Sequence, residues 1–126
     1  MNHYRQMLEL VRDLKLKKDD LPSISYEDET NLLETPVAIT RQDVIRLLKR
    51  YKQERLELAD LFDWIHFVWF SDLFACEKLD ADSIASVIQF LIDLEDDADI
   101  IAGEVDYCLN ALEHNKRVES WFNDDL

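Results

Sequence analysis

The chain has 126 residues, with 14 Lys/Arg against 28 Asp/Glu for a net charge of −14, and it holds only 1 glycine and 2 prolines. That length suits one domain, residues 1–126, which buries roughly two-thirds of its unfolded surface without a disulfide framework or a metal. One glycine leaves almost no φ > 0 positions for tight hairpins or phosphate-cradling loops, and the anionic field excludes nucleic acid and anionic membranes as direct partners.

Met7, Leu10, Val11 and Leu14 recur at helical spacing and predict a first helix over residues 3–17. Residues 17–25 carry turn formers and Pro22, so the chain leaves the helix there. A short helical piece is expected over 27–33 before Pro36 closes an N-terminal region of 39 residues. Thr40 is a good N-cap with Asp43 three residues on, and Val44, Ile45, Leu47, Leu48 and Tyr51 form an apolar stripe, which predicts a helix over 40–55. Its other face carries Arg41, Arg46, Lys49, Arg50, Lys52 and Arg55, read as a solvated face that neutralises acidic neighbours.

Apolar residues nearly encircle the next stretch, 56–74. Leu58, Leu61, Phe62, Ile65, Val68 and Trp69 lie on one side and Trp64, Phe67, Phe70 and Phe74 on another, which predicts the central helix of a bundle. Asp60 and Asp63 mark its polar side, and His66 has no partner pattern. Asp80 or Asp82 caps a further helix with Ile84, Val87, Ile88, Leu91 and Ile92 at repeating 3-4 spacing. An acidic corner over 94–99 opens a last helix, 98–113, whose interior Gly103 costs about 1 kcal/mol relative to alanine and suggests a closely packed neighbour. The core helices thus span 40–113. In the tail, 114–126, Trp121 and Phe122 are expected to fold back. Together these elements predict an all-α protein, an antiparallel bundle of four to five helices.

No run of about 18 apolar residues occurs, and the N-terminus lacks the order of a secretory signal. A cytoplasmic protein with reduced, partly buried Cys76 and Cys108 is expected. The chain contains no HExxH, GxSxG, P-loop or GxGxxG motif, and His3, His66 and His114 lack zinc-ligand spacing. No enzymatic activity, cofactor or metal is expected. Asp93, Glu95, Asp97, Asp99 and Glu104 fall at positions 1, 3, 5, 7 and 12 of a calcium-loop template, but Ala98 stands where a glycine makes the turn, so the segment reads as an acidic helix corner.

Charge is distributed unevenly: residues 1–56 carry 11 Lys/Arg and 10 Asp/Glu, while 57–126 carry 3 and 18. The carboxylates Asp60, Asp63, Asp93, Glu95, Asp96, Asp97, Asp99, Glu104 and Asp106 are therefore candidate contacts for a basic partner. Either they grip such a partner or they serve solubility alone. An acidic adaptor or oligomeric module using the aromatic edge Trp64, Phe67, Phe70 and Phe74 is the alternative.

The segments ThrArgGlnAspValIleArgLeuLeuLysArgTyr, 40–51, and LeuAlaAspLeuPheAspTrpIle, 58–65, with two further helices ending near TyrCysLeu, 107–109, carry a resemblance. They resemble helical immunity proteins of bacterial polymorphic toxin and contact-dependent growth inhibition systems and, more loosely, colicin D-type inhibitors. The resemblance covers residues 40–112, and residues 1–39 match nothing in it. It implies a protein that neutralises a cognate toxin domain, often a basic RNase, by occluding its active site with acidic side chains.

Overall fold

The computed structural model describes residues 3–118. In chain order the elements are α1 (His3–Arg12), a 3-10 turn (Lys18–Asp20), α2 (Tyr26–Glu34), β1 (Val37–Ile39), α3 (Arg41–Lys52), α4 (Leu58–Phe70), β2 (Phe74–Cys76), α5 (Ala81–Asp93) and α6 (Ala98–Glu113). The protein is mostly helical, as the apolar spacing predicts. The two strands are not in that prediction: β1 and β2 pair in parallel, with Val37 opposite Phe74 and Ile39 opposite Cys76.

Pro36 breaks the helix before β1, and the β-branched Val37 and Ile39 turn to the core on alternate positions. Three residues are too few for a period-2 signal, which is why the sequence conceals the strand. β2 takes Phe74 out of the aromatic stretch assigned to α4, so the helix stops at Phe70.

α3 packs against three other helices, α4, α5 and α6, whereas α4 packs chiefly against α1 and α3. Val44, Leu47 and Leu48 on its inner face are fully covered. α4 buries Leu61, Phe62, Trp64, Ile65 and Val68 but leaves His66 outside and Phe70 68 % exposed. The expectation of an encircled central helix thus fails because Phe70 faces solvent and Phe74 belongs to a strand.

Three helices end in the same way. Leu14, Glu54 and Asn115 have φ of 64°, 60° and 53°, just past the ends of α1, α3 and α6. At each, the next residue's N–H reaches five residues back, Lys15 to the Leu10 carbonyl at 2.8 Å, Arg55 to Arg50 at 2.9 Å and Lys116 to Ala111 at 2.8 Å. These are Schellman terminations, which glycine usually supplies. Sequence reading held φ > 0 positions to be nearly unavailable. The fold instead forces three side-chain-bearing residues into that region, at a cost of roughly 1 kcal/mol each.

Gly103 occupies none of these positions. It lies exposed within α6, and a Cβ there would meet nothing within 4 Å, so the close neighbour expected from its presence is missing. Trp121 and Phe122 lie outside the described residues. No helix among those described is long and apolar enough to cross a membrane.

Candidate functional site

Charge in this molecule is handled in two opposite ways. The cations of α3 are largely spent on internal junctions. Asp43, only 5 % exposed, sits at the first turn of α3, where its Oδ2 accepts from the Thr40 backbone N–H at 2.8 Å and the Thr40 hydroxyl at 3.1 Å. Its Oδ1 meets Arg46 Nη1 at 3.1 Å and Arg12 Nε at 3.7 Å. Arg12 also bonds Asp13 at 2.9 Å and donates to the Ala38 carbonyl of β1 at 3.1 Å. One buried carboxylate therefore ties α1, β1 and α3 together. The hydrogen bond from Arg12 and the nearby Arg46 and Lys15 charges hold the Asp13 carboxyl below its ordinary range, against the opposing effect of burial.

A second junction gathers three helix ends. The Arg41 backbone N–H donates to Asp80 Oδ2 at 3.0 Å, its Nε to Asp80 Oδ1 at 2.9 Å and its Nη1 to the Leu112 carbonyl at 2.8 Å. Asp80 is also the N-cap residue of α5. The start of α3, the start of α5 and the end of α6 are thus closed by one ion pair, and the Arg41 backbone bond, followed by its side chain, lowers the Asp80 pKa. Farther along α3, Arg50 donates to the Leu14 carbonyl at 3.3 Å and Lys52 pairs with Asp106 of α6.

The α5–α6 corner is built differently. α5 runs to Asp93, α6 begins at Ala98, and Glu95, Asp96 and Asp97 occupy the tight turn between them. That turn is closed by the Asp97 N–H bonding the Leu94 carbonyl at 2.8 Å, and the Asp97 carbonyl receives Ile100 and Ile101 as α6 starts. Asp93, Asp96, Asp97 and Asp99 are all exposed. Among the described residues none of these four has a cation within 4 Å. Asp93 accepts from the Gln89 side-chain amide at 3.0 Å. Glu95 turns back to α4 and meets His66 Nε2 at 2.7 Å. His66 in turn lies edge-on between Phe62 and Phe70, with ring centroids 6.1 and 6.0 Å apart.

The nine candidate carboxylates therefore do not form one patch. Asp93, Glu95, Asp96, Asp97 and Asp99 are brought together. Asp106 is drawn toward Lys52, and Glu104 is half-buried beside Cys108, whose thiol burial and that carboxylate push up to about 12. Asp60 and Asp63, near the start of α4, line a separate cleft of about 590 Å³ between α4, the end of α3 and the chain following α1. Sequence reasoning missed the His66–Glu95 bridge, whose partners stand 29 residues apart with no local pattern.

The calcium-loop template does not fold as a loop: its positions from Asp99 to Glu104 lie inside α6. Among the described residues, no three His, Cys, Asp or Glu side chains are arranged to hold a metal ion. Cys76 and Cys108 are free thiols. Comparison with family models, curated proteins and solved structures finds no match to this chain.

Proposed function

We propose that this protein is a non-enzymatic, cytoplasmic immunity protein that neutralises a cognate basic toxin domain, an RNase as the resemblance to helical immunity proteins implies, by covering the active site with carboxylates. In this reading the helices act as an antiparallel bundle that displays the α5–α6 corner. The observation that carries it is the contrast in charge. Asp43 and Asp80 are neutralised by arginines inside the fold, whereas Asp93, Asp96, Asp97 and Asp99 are exposed and unneutralised on consecutive turns. Such a cluster matches the phosphate-binding groove of a nuclease, and it steers encounter with a cation-rich surface. His66, exposed on α4, meets Glu95 of the corner, so in this reading the binding face reaches α4 at that residue, while Asp60 and Asp63 in the separate cleft lie outside it.

The test is co-expression with candidate basic nuclease toxin domains, followed by binding to any that is neutralised, measured across salt. A one-to-one complex is expected, with an association rate that falls by about ten-fold or more between low and high ionic strength. A rate that hardly changes with salt removes the proposal.

Phe70 supports a second reading. This ring stands 68 % exposed beside His66 on α4, and Leu79 is 88 % exposed after β2, an anchor pattern suited to hydrophobic pairing in an adaptor or oligomer. Sedimentation separates the two: a dissociating dimer weakened by Phe70→Ser favours pairing, while a monomer at all concentrations favours the immunity reading.

A further inference from the structure

The cleft that takes Asp60 and Asp63 has a construction of its own. Its apolar surface comes from Val11, Leu14, Leu16, Leu56, Trp64 and Phe67, contributed by α1, the bends after α1 and α3, and α4. Its volume of about 590 Å³ falls in the range of sites that enclose small organic ligands, roughly 300 to 1,000 Å³. Two anchored contacts hold its walls: the Trp64 indole N–H donates to the Arg12 carbonyl at 3.2 Å and Arg50 to the Leu14 carbonyl at 3.3 Å.

Two of the three left-handed residues shape the same cleft. Leu14, at φ 64°, is part of its lining, and Glu54, at φ 60°, immediately precedes the lining residues Arg55 and Leu56. These are the same Schellman terminations that end α1 and α3, and their effect here is geometric, since each turns the chain sharply at the rim of the cleft. Both bends deliver cations to the lining: Lys15, Lys17 and Lys18 follow the first, and Arg50 and Arg55 flank the second. Among the described residues, Lys15, Lys17, Lys18 and Arg55 have no carboxylate within 4 Å. Asp19 and Asp20 on the 3-10 turn and Asp60 and Asp63 on α4 share the lining, so five cations face four carboxylates in a chain of net −14.

We infer that this cleft binds a mono-anionic amphiphile, with an acyl or aromatic body on the Leu14–Trp64–Phe67 surface and its single charge among the lysines and Arg55. The four aspartates repel a head group of higher charge, and they leave too little net positive potential to hold one. This site is separate from the α5–α6 corner and does not depend on the partner proposed for it.

Anilinonaphthalene sulfonate, an aromatic mono-anion, is the probe for titration of the full chain by fluorescence, with decanoate as acyl competitor and decyltrimethylammonium as cationic control. One saturable site is expected, displaced by decanoate and not by the cationic amphiphile. Lys17→Glu and Arg55→Glu, both at exposed side chains, are expected to weaken binding by about ten-fold each, and Leu16→Gln to weaken it too, while Asp96→Lys leaves it unchanged. Thermal melts of each variant show that the fold persists. Absence of saturable binding at millimolar probe, equal competition by the cationic amphiphile, or affinity unmoved by both charge reversals in folded protein overturns the inference.

Discussion

The junctions at Asp43 and Asp80 and the corner at Asp93–Asp99 are made from the same residue type and do opposite things. At the junctions a carboxylate is surrounded by donors from elements far apart in sequence, and the cost of its burial is offset by Arg12, Arg46 or Arg41. At the corner the carboxylates stay in water, where each costs little and mutual repulsion is screened. Net charge alone, −14, conceals this division. The exposed acids define what the surface attracts, and the arginine-paired ones define how the helices are held.

The sharpest way to break the comparison is at Asp43. Asp43→Ala removes the acceptor of the Thr40 amide and leaves Arg12 and Arg46 to share Asp13 alone as carboxylate partner, and a loss of about 3 kcal/mol is expected by urea unfolding. A loss below about 1 kcal/mol would place Asp43 with the surface acids instead.

Asp80→Asn is the next largest, at about 1 to 2 kcal/mol near neutral pH. Because the folded pKa of Asp80 is lowered by the Arg41 contacts, its contribution is present above the ordinary carboxylate range and is lost as pH falls through the folded value. The gap between wild type and Asp80→Asn should therefore hold from pH 7 to about pH 5 and shrink below about pH 4. A gap that widens on acidification contradicts the assignment.

At the corner, the triple change of Asp96, Asp97 and Asp99 to Lys is expected to move stability by less than about 1 kcal/mol, the size of helix-end charge effects. Partner association should nevertheless slow by more than about ten-fold. A melt shifted as far as that of Asp43→Ala would show that corner and junction are not distinct after all. Gly103→Ala, in α6 beyond the corner and with no atom near the new Cβ, should stabilise by somewhat under 1 kcal/mol in calorimetry. It supplies an internal scale for the smallest charge effects.

How much of this was visible in the chain depends on range. α6 is legible to its last residue, because Ile101, Val105, Cys108 and Leu112 keep 3-4 spacing and all are buried. The Thr40–Asp43 start of α3 is equally local and equally visible. The acidic corner could be read as a corner, since charge composition is local too. The pairing of Val37 with Phe74 and of Arg41 with Asp80 cannot be read that way, because each depends on the chain returning from 37 or 39 residues away. Asp60 and Asp63 were grouped with the corner on sign alone. The fold sends them to a cleft with three lysines and two arginines, which composition has no means to show.

The parallel strand pair also has a consequence for the order of events in folding. β1 and β2 are joined by a stretch that contains both α3 and α4, so loop-closure entropy leads us to expect that their contact forms late. Weakening it at Val37 should accelerate unfolding far more than it retards refolding. The small sheet then acts as a latch on kinetic lifetime rather than as a nucleus for the helices.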